Sequence, residues 1–352
     1  MKQIDPDTFV AELSSKARHQ RQPDSVTFEL TYGCNLRCVH CFNPTHRALP
    51  QELDTAEVFQ LLEQLAAFGI LTITFTGGEP AIRPDIDEIL RYACRCGFLV
   101  RVLTNATRVT SSFVSVLQDI AVEQVCVSIY GATAATYERM TAVPGSHTAF
   151  LRGLTLLAET NMPVIVRMPV TSINFDEVHR CRSLTEELGF KFQYSLDLTP
   201  TVTGDLTPLR YRLTPEGKIH IDRDMLTGWG STPLEESCAS TEDFIECACG
   251  RNRFAITPYG EMNLCTAFPI PRYNLRTGTV TEGWEVLKRT VDEAQPTHRY
   301  ECPTCDVRPY CRQGRSDAWL ETGEMSTCLP HYREWANLEH RTHALLDPRR
   351  PA

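Results

Sequence analysis

Residues 26–42 read VTFELTYGCNLRCVHCF, and this stretch decides both the fold and the chemistry. Val26–Thr31 is a short β-rich run, apolar enough for a strand covered on both faces. It leads directly into a loop carrying Cys34, Cys38 and Cys41 at C-x3-C-x2-C spacing. Runs of the same kind follow at 71–76, 98–104, 124–130, 163–170 and 191–198. Helical patterns separate them. Val58, Leu61, Leu62, Leu65 and Phe68 share one face. Asp54 with Glu57 forms an Asp variant of the capping box ahead of that helix. Gly69 and Gly97 stand where helices should stop, and Asn174 should open a helix ending near Gly189. Such βα repetition predicts an α/β fold with a parallel sheet and crossover helices. Six units are too few for a closed eight-stranded barrel. The expectation is a partial (β/α)6 TIM-type barrel, working at its strand C-terminal ends, with a small irregular cysteine-rich domain after it.

The chain has 352 residues, and ~150 residues per domain favours one large domain and a smaller one. The expected limits are an N-terminal extension (1–23), the barrel (24–205), a Thr/Pro/Gly-rich linker (206–237), the cysteine-rich domain (238–330) and a terminal helix and tail (331–352). Apolar content of 42% and charged content of 22% exclude a fibre, a disordered chain or a channel. Lys+Arg 35 against Asp+Glu 44 gives a net charge of −9. A phosphate-backbone binder needs a basic face, so no nucleic-acid partner is expected. No run approaches ~18 apolar residues, so no membrane span is expected. The N-terminus has no apolar signal region, which points to the cytoplasm. Fifteen cysteines in that compartment read as metal ligands rather than disulfides.

A loop as short as 34–41 can wrap three thiolates round one cuboidal cluster. Ordinary four-iron clusters take four cysteines, and the next one is Cys94. One iron is therefore left open for chemistry. The rival is a three-cysteine zinc site with His40 as fourth ligand. After the second strand comes Gly77-Gly78-Glu79-Pro80. Its glycines let the backbone approach a ligand closely, and its carbonyls and the Glu79 carboxylate can accept from a ligand ammonium. Asn105 follows the third strand and Ser128 ends the fourth, on the same rim.

C-x3-C-x2-C after strand one, GGEP after strand two and VSIYG at 127–131 together resemble the radical S-adenosylmethionine (SAM) superfamily, over about residues 24–200. The resemblance implies a 4Fe-4S cluster on Cys34, Cys38 and Cys41, with SAM on its open iron and reductive cleavage of SAM to a deoxyadenosyl radical. It also implies that Gly77, Gly78 and Glu79 hold the methionine amine, and that Ser128 and Asn105 contact SAM. Arg139, or else Arg167, would pair the SAM carboxylate, a task suited to a guanidinium. His40 takes the place of an aromatic residue against the adenine.

Further on, Gly260-x4-Cys265, Cys302-x2-Cys305-x5-Cys311 and Cys328 resemble the SPASM domain, the auxiliary-cluster module of peptide-modifying radical SAM enzymes. That pattern carries another cysteine four residues after Cys311; here Arg315 stands there. The resemblance assigns Cys302, Cys305, Cys311 and Cys328 to one complete auxiliary cluster. Cys247, Cys249 and Cys265 belong to a second. Cys238 either replaces its lost ligand or stays free as a hydrogen donor. One or two auxiliary iron–sulfur clusters are thus implied, a zinc ribbon being the alternative. Cys94, Cys96, Cys126 and Cys181 read as packing residues. His331, His340 and His343 read as solvated or capping residues rather than ligands.

The leading expectation is a radical SAM/SPASM enzyme acting on a ribosomally made precursor peptide, by cross-linking, epimerisation or backbone excision. About 24 residues before strand one are too few for a peptide-binding domain, which implies a separate leader-peptide-binding protein. A flavodoxin or ferredoxin-type protein would supply the electron. Two alternatives stand beside it: a haem-pathway decarboxylase or dehydrogenase of the same superfamily, and a non-catalytic iron–sulfur electron carrier.

Overall fold

The structure, a computed structural model, describes residues 12, 15–43, 45–226 and 244–346. Strand β1 (Ser25–Thr31) is followed by β2 (Thr72–Gly77), β3 (Leu99–Thr104), β4 (Gln124–Ser128), β5 (Val164–Pro169) and β6 (Lys191–Ser195). Each pairs in parallel with the next, as the βα repetition predicts. Alternation along each strand divides the sheet's faces. Phe28 and Phe75 are fully buried, in the same core as Val58, Leu62 and Leu65 of the helix Thr55–Phe68. Burying a side chain of that size stabilises the fold by about 1.5–3 kcal/mol. The register sets Ser128 opposite Arg167, and Arg167 opposite Gln193.

Helix ends follow the sequence closely at one helix and not at another. Asp54 accepts the Glu57 N–H at 2.9 Å while Glu57 accepts the Asp54 N–H at 2.9 Å. Gly69 ends that helix at φ +96°, where a side chain would be strained. Asn174 makes no side-chain cap. Its amide instead donates to the carbonyls of Tyr130 (3.1 Å) and Pro169 (3.0 Å) and accepts from the Thr171 N–H. An expected cap is thus a fully buried cross-tie between the ends of β4 and β5.

The region after β6 is more regular than its composition suggests. A helix spans Pro215–Leu226 inside the expected linker. β7 (Arg253–Ile256), β8 (Glu261–Asn263), β9 (Tyr273–Asn274) and the helix Val280–Glu293 occupy the stretch expected to be irregular. β7 pairs in parallel with β1. The sheet therefore runs β6-β5-β4-β3-β2-β1-β7-β8-β9 and does not close. The expected linker does not divide it. The four barrel cysteines are packing residues in the structure: Cys181 and Cys126 are buried, Cys94 and Cys96 partly so. No helix among the described residues is long and apolar enough to cross a membrane.

Candidate active site

The three loop thiols face a cavity of about 290 Å³ at the strand C-terminal ends. Cys34, Cys38, His40 and Cys41 line it from the loop after β1. Gly77 and Gly78 line it from the end of β2, Asn105 and Ser128 from β3 and β4, and Asp197 from beyond β6.

The loop is fixed from three sides. The Cys34 N–H donates to the His46 carbonyl at 3.2 Å, and Arg37 and Val39 donate their N–H groups to the carbonyls of Thr141 and Met140. The third tie is the double glycine. Gly78 N–H donates to the Thr31 carbonyl at 2.7 Å, and Glu79 N–H to the Gly33 carbonyl at 2.9 Å. A Cβ on Gly78 would fall 2.1 Å from the Gly33 oxygen, and one on Gly77 2.2 Å from the Thr31 oxygen. The close approach that these glycines permit is therefore to the backbone leading into Cys34.

Glu79 makes its contacts within the protein. Its carboxylate is fully buried and absent from the cavity wall. It accepts the Thr104 hydroxyl at 2.7 Å, the Asn105 N–H at 2.6 Å and the Ala81 N–H at 3.1 Å. Burial pushes its pKa up, against the pull of those three donors. The residue fastens the β2 end to the β3 end. Asn105, held in place by this contact, extends its Nδ2 to within 3.9 Å of Cys34 Sγ.

The donor set fits an iron–sulfur cluster. Burial pushes the Cys38 thiol well up, and the neighbouring Cys41 and Cys34 push it further. Burial likewise holds Cys41 at about 12. Cationic iron offsets that cost and deprotonates a coordinating thiol outright. N–H donors already aim at the sulfurs: Leu36 N–H at Cys34 and Asn43 N–H at Cys41, both at 3.4 Å. The zinc alternative fits less well. In that alternative His40 would be the fourth ligand. His40 packs its ring against Tyr130, centroids 5.3 Å apart. Desolvation lowers its pKa to about 4, leaving a neutral imidazole in the wall.

Neither arginine expected to pair the SAM carboxylate lines the cavity. Arg139 is exposed and donates to the Ile173 carbonyl at 2.8 Å. Arg167 donates to Gln193 Oε1 at 2.8 Å. The acidic wall residue Asp197 was not anticipated. Its carboxylate lies 3.3 Å from Lys218 Nζ. Lys218 is 1% exposed, and its ammonium sits 4.0 Å from the Trp335 ring centroid and 5.3 Å from that of Tyr332. Apolar burial and a cation–π cage thus hold a lysine behind the cavity wall. The only sequence signal was position: like Asn105 and Ser128, Asp197 follows a strand end.

The other cysteines fall into two groups. Burial raises the Cys311 pKa, and the charges of Cys302 and Cys328 raise it further; Cys328 likewise feels Cys302 and Cys305. These are the four thiols expected to share one cluster. Cys249 interacts with Cys247 and Cys265, the second expected set. Cys238 lies outside the described residues. Of the histidines, His331 Nδ1 meets Arg212 Nη1 at 3.0 Å, and His340 stacks on Tyr310 with centroids 4.9 Å apart. His331 is therefore part of an internal polar contact rather than a solvated residue.

An open parallel barrel with three thiols converging on a cavity at its strand ends defines a cofactor-dependent α/β enzyme domain. Residues 28–184 match the model of the radical SAM superfamily. The superfamily's cofactors are a 4Fe-4S cluster and SAM, and the donor set described above suits the cluster. The chain is 29% identical to the AdoMet-dependent heme synthase of Methanosarcina barkeri, over 86% of this chain and 94% of that protein. It is 26% identical to the mycofactocin maturase MftC of Mycobacterium tuberculosis, over 86% of this chain and 80% of that one. Its fold resembles Streptococcus suis SuiB in complex with the precursor peptide SuiA, with a TM-score of 0.69 at 16% identity, covering 93% of this chain and 80% of SuiB.

Proposed function

We propose that this radical SAM enzyme abstracts hydrogen from a ribosomally made precursor peptide, in the cytoplasm. The observation that carries the catalytic part is the convergence of Cys34, Cys38 and Cys41 with Gly77, Gly78, Asn105 and Ser128 on one cavity. Cys34, Cys38 and Cys41 would hold the cluster, which would supply the one electron for reductive cleavage of SAM to methionine and a deoxyadenosyl radical. The chain's own residues hold the loop, exclude water from the thiols and orient the ligand along the wall. Hydrogen transfer from a substrate C–H bond then gives deoxyadenosine and a substrate radical. The likeness to the maturase MftC supports a peptide substrate. So does the open sheet, whose β6 edge pairs with no further strand among the described residues and offers lateral entry to an extended chain. A separate leader-peptide-binding protein and a flavodoxin or ferredoxin-type reductant complete the system. Cys302, Cys305, Cys311 and Cys328 hold one auxiliary cluster in this reading, and Cys247, Cys249 and Cys265 contribute to a second.

One observation favours a second reading, a tetrapyrrole substrate. The haem synthase likeness covers 94% of that relative. An electron carrier without catalysis has no use for the polar cavity wall.

Anaerobically reconstituted protein with SAM and dithionite should release deoxyadenosine. Cys34→Ala, Cys38→Ala and Cys41→Ala should each abolish that release. Normal release from any of them ends the assignment. Mass spectrometry of peptides co-produced with the enzyme should show loss of two hydrogens or of a residue fragment, or a deuterium label at an α-carbon after turnover in heavy water. Decarboxylated tetrapyrrole with unchanged peptides would select the second reading.

A further inference from the structure

Arg315 stands where the auxiliary pattern has a cysteine, and the structure turns it toward the complete cysteine set. Its Nη2 lies 3.6 Å from Cys302 Sγ. Its Nη1 donates to the Met325 carbonyl at 3.2 Å. The guanidinium carbon lies 5.2 Å from the Tyr300 ring centroid and 5.7 Å from that of Phe244. Those two rings meet edge to face at 5.0 Å and 88°. A carbonyl, a sulfur and two aromatic rings thus fix the side chain. Other cations near this region are neutralised: Arg308 pairs with Glu246 at 2.5 Å and Arg333 with Glu301 at 3.3 Å. Arg315 has no carboxylate partner among the described residues.

We infer that Arg315 is a positioning residue that donates an N–H···S bond to Cys302 and raises the reduction potential of the cluster held by Cys302, Cys305, Cys311 and Cys328. The inference rests on the proposal that these four cysteines hold an iron–sulfur cluster. The physics is simple. A reduced cluster carries one more negative charge than an oxidised one. A hydrogen bond to its sulfur and an uncompensated cation beside it both favour the reduced state. Two aromatic rings flank the half-buried guanidinium, so its charge is screened less than on an open surface. A lost ligand at this position has become an electrostatic control on the neighbouring site.

The test uses the full chain with Cys34, Cys38 and Cys41 all changed to alanine, so that only auxiliary clusters contribute. Iron and zinc are measured first, and the reduction midpoint is then read by EPR during a redox titration. Arg315→Gln should keep the parent iron content and lower one midpoint. Arg315→Lys keeps the charge without the planar fork and should lower it less. An unchanged midpoint in Arg315→Gln overturns the proposal. Loss of auxiliary iron in both variants also overturns it, since a structural role would suffice. If only Arg315→Gln loses iron, an unchanged midpoint in Arg315→Lys is the overturning result and a lowered one the supporting result. Zinc without iron in the parent would instead defeat the cluster reading itself, and metal analysis reports that before any titration.

Discussion

Glu79 accepts the main-chain N–H of Asn105 at 2.6 Å, so a carboxylate without solvent exposure joins the ends of two neighbouring strands beneath the cavity. Two further donors, Thr104 and Ala81, converge on the same group. Glu79→Gln keeps the shape but turns an N–H₂ toward donors. Leaving a buried donor unsatisfied costs about 1–3 kcal/mol. The expected outcome is a lower melting temperature together with weaker SAM binding. A variant that melts and binds as the parent does would refute the cross-tie.

Gly78→Ala tests the clamp on the cluster loop. The added methyl meets the Gly33 oxygen at 2.1 Å, too close for any side-chain adjustment to relieve. Overpacking of this kind costs about 1–3 kcal/mol, and here the strain falls on the segment entering Cys34. Lower iron retention after desalting is expected, the deficit being read against the auxiliary iron that the Cys34/Cys38/Cys41 triple-alanine protein keeps. Gly69→Ala is the control, because no atom lies within 4 Å of its Cβ position and its strain comes from φ alone.

Arg139→Ala and Arg167→Ala should each leave SAM affinity within roughly twofold, the range of an ordinary surface substitution. Equilibrium binding of SAM to the holoenzyme measures it. A tenfold loss in either variant would return that arginine to the SAM carboxylate.

His331 gives a pH dependence with a definite sign. Burial first, then the charges of Arg212 and Lys218, lower its pKa to about 3. Arginine only donates, so Nδ1 must accept and the ring is neutral in the folded protein. Between pH ~3 and ~6.5 the unfolded chain binds a proton at this residue that the folded chain does not. Stability is therefore lost as pH falls through that window. His331→Gln should flatten the loss, read from denaturation midpoints at pH 7 and pH 4.5. Parallel slopes for variant and parent would contradict it.

Much of the first half of the chain was legible because its signals are local. A strand run, a capping box and a glycine stop each depend on a few consecutive residues, and the βα succession needs nothing else. The grouping of Cys34, Cys38 and Cys41 on one cavity was legible for the same reason, since they lie within one short loop. The cross-tie made by Glu79 was not legible because its partners Thr104 and Asn105 come from the end of β3. The contacts of Arg139 and Arg167 with Ile173 and Gln193 were not legible, because residue type gives no direction for a side chain. Asp197 is paired with a lysine whose burial depends on Trp335, more than a hundred residues away. No local pattern encodes such a contact. β7 escaped notice because its four residues lie in a cysteine-rich stretch whose composition hides a short strand.

The parallel pairing of β7 with β1 matters for how the protein is made. A ribosome delivers β1 early, and β2 can join it soon after. The opposite edge of β1 then waits while some two hundred more residues emerge. Throughout that interval an apolar strand beside the cluster loop presents free N–H and C=O groups, an invitation to the wrong neighbour. A chain ended before residue 253 would keep that edge bare permanently. Such a fragment should aggregate even though it contains every residue of the radical site, so the C-terminal region serves the nascent barrel as its covering edge as well as carrying the second set of cysteines.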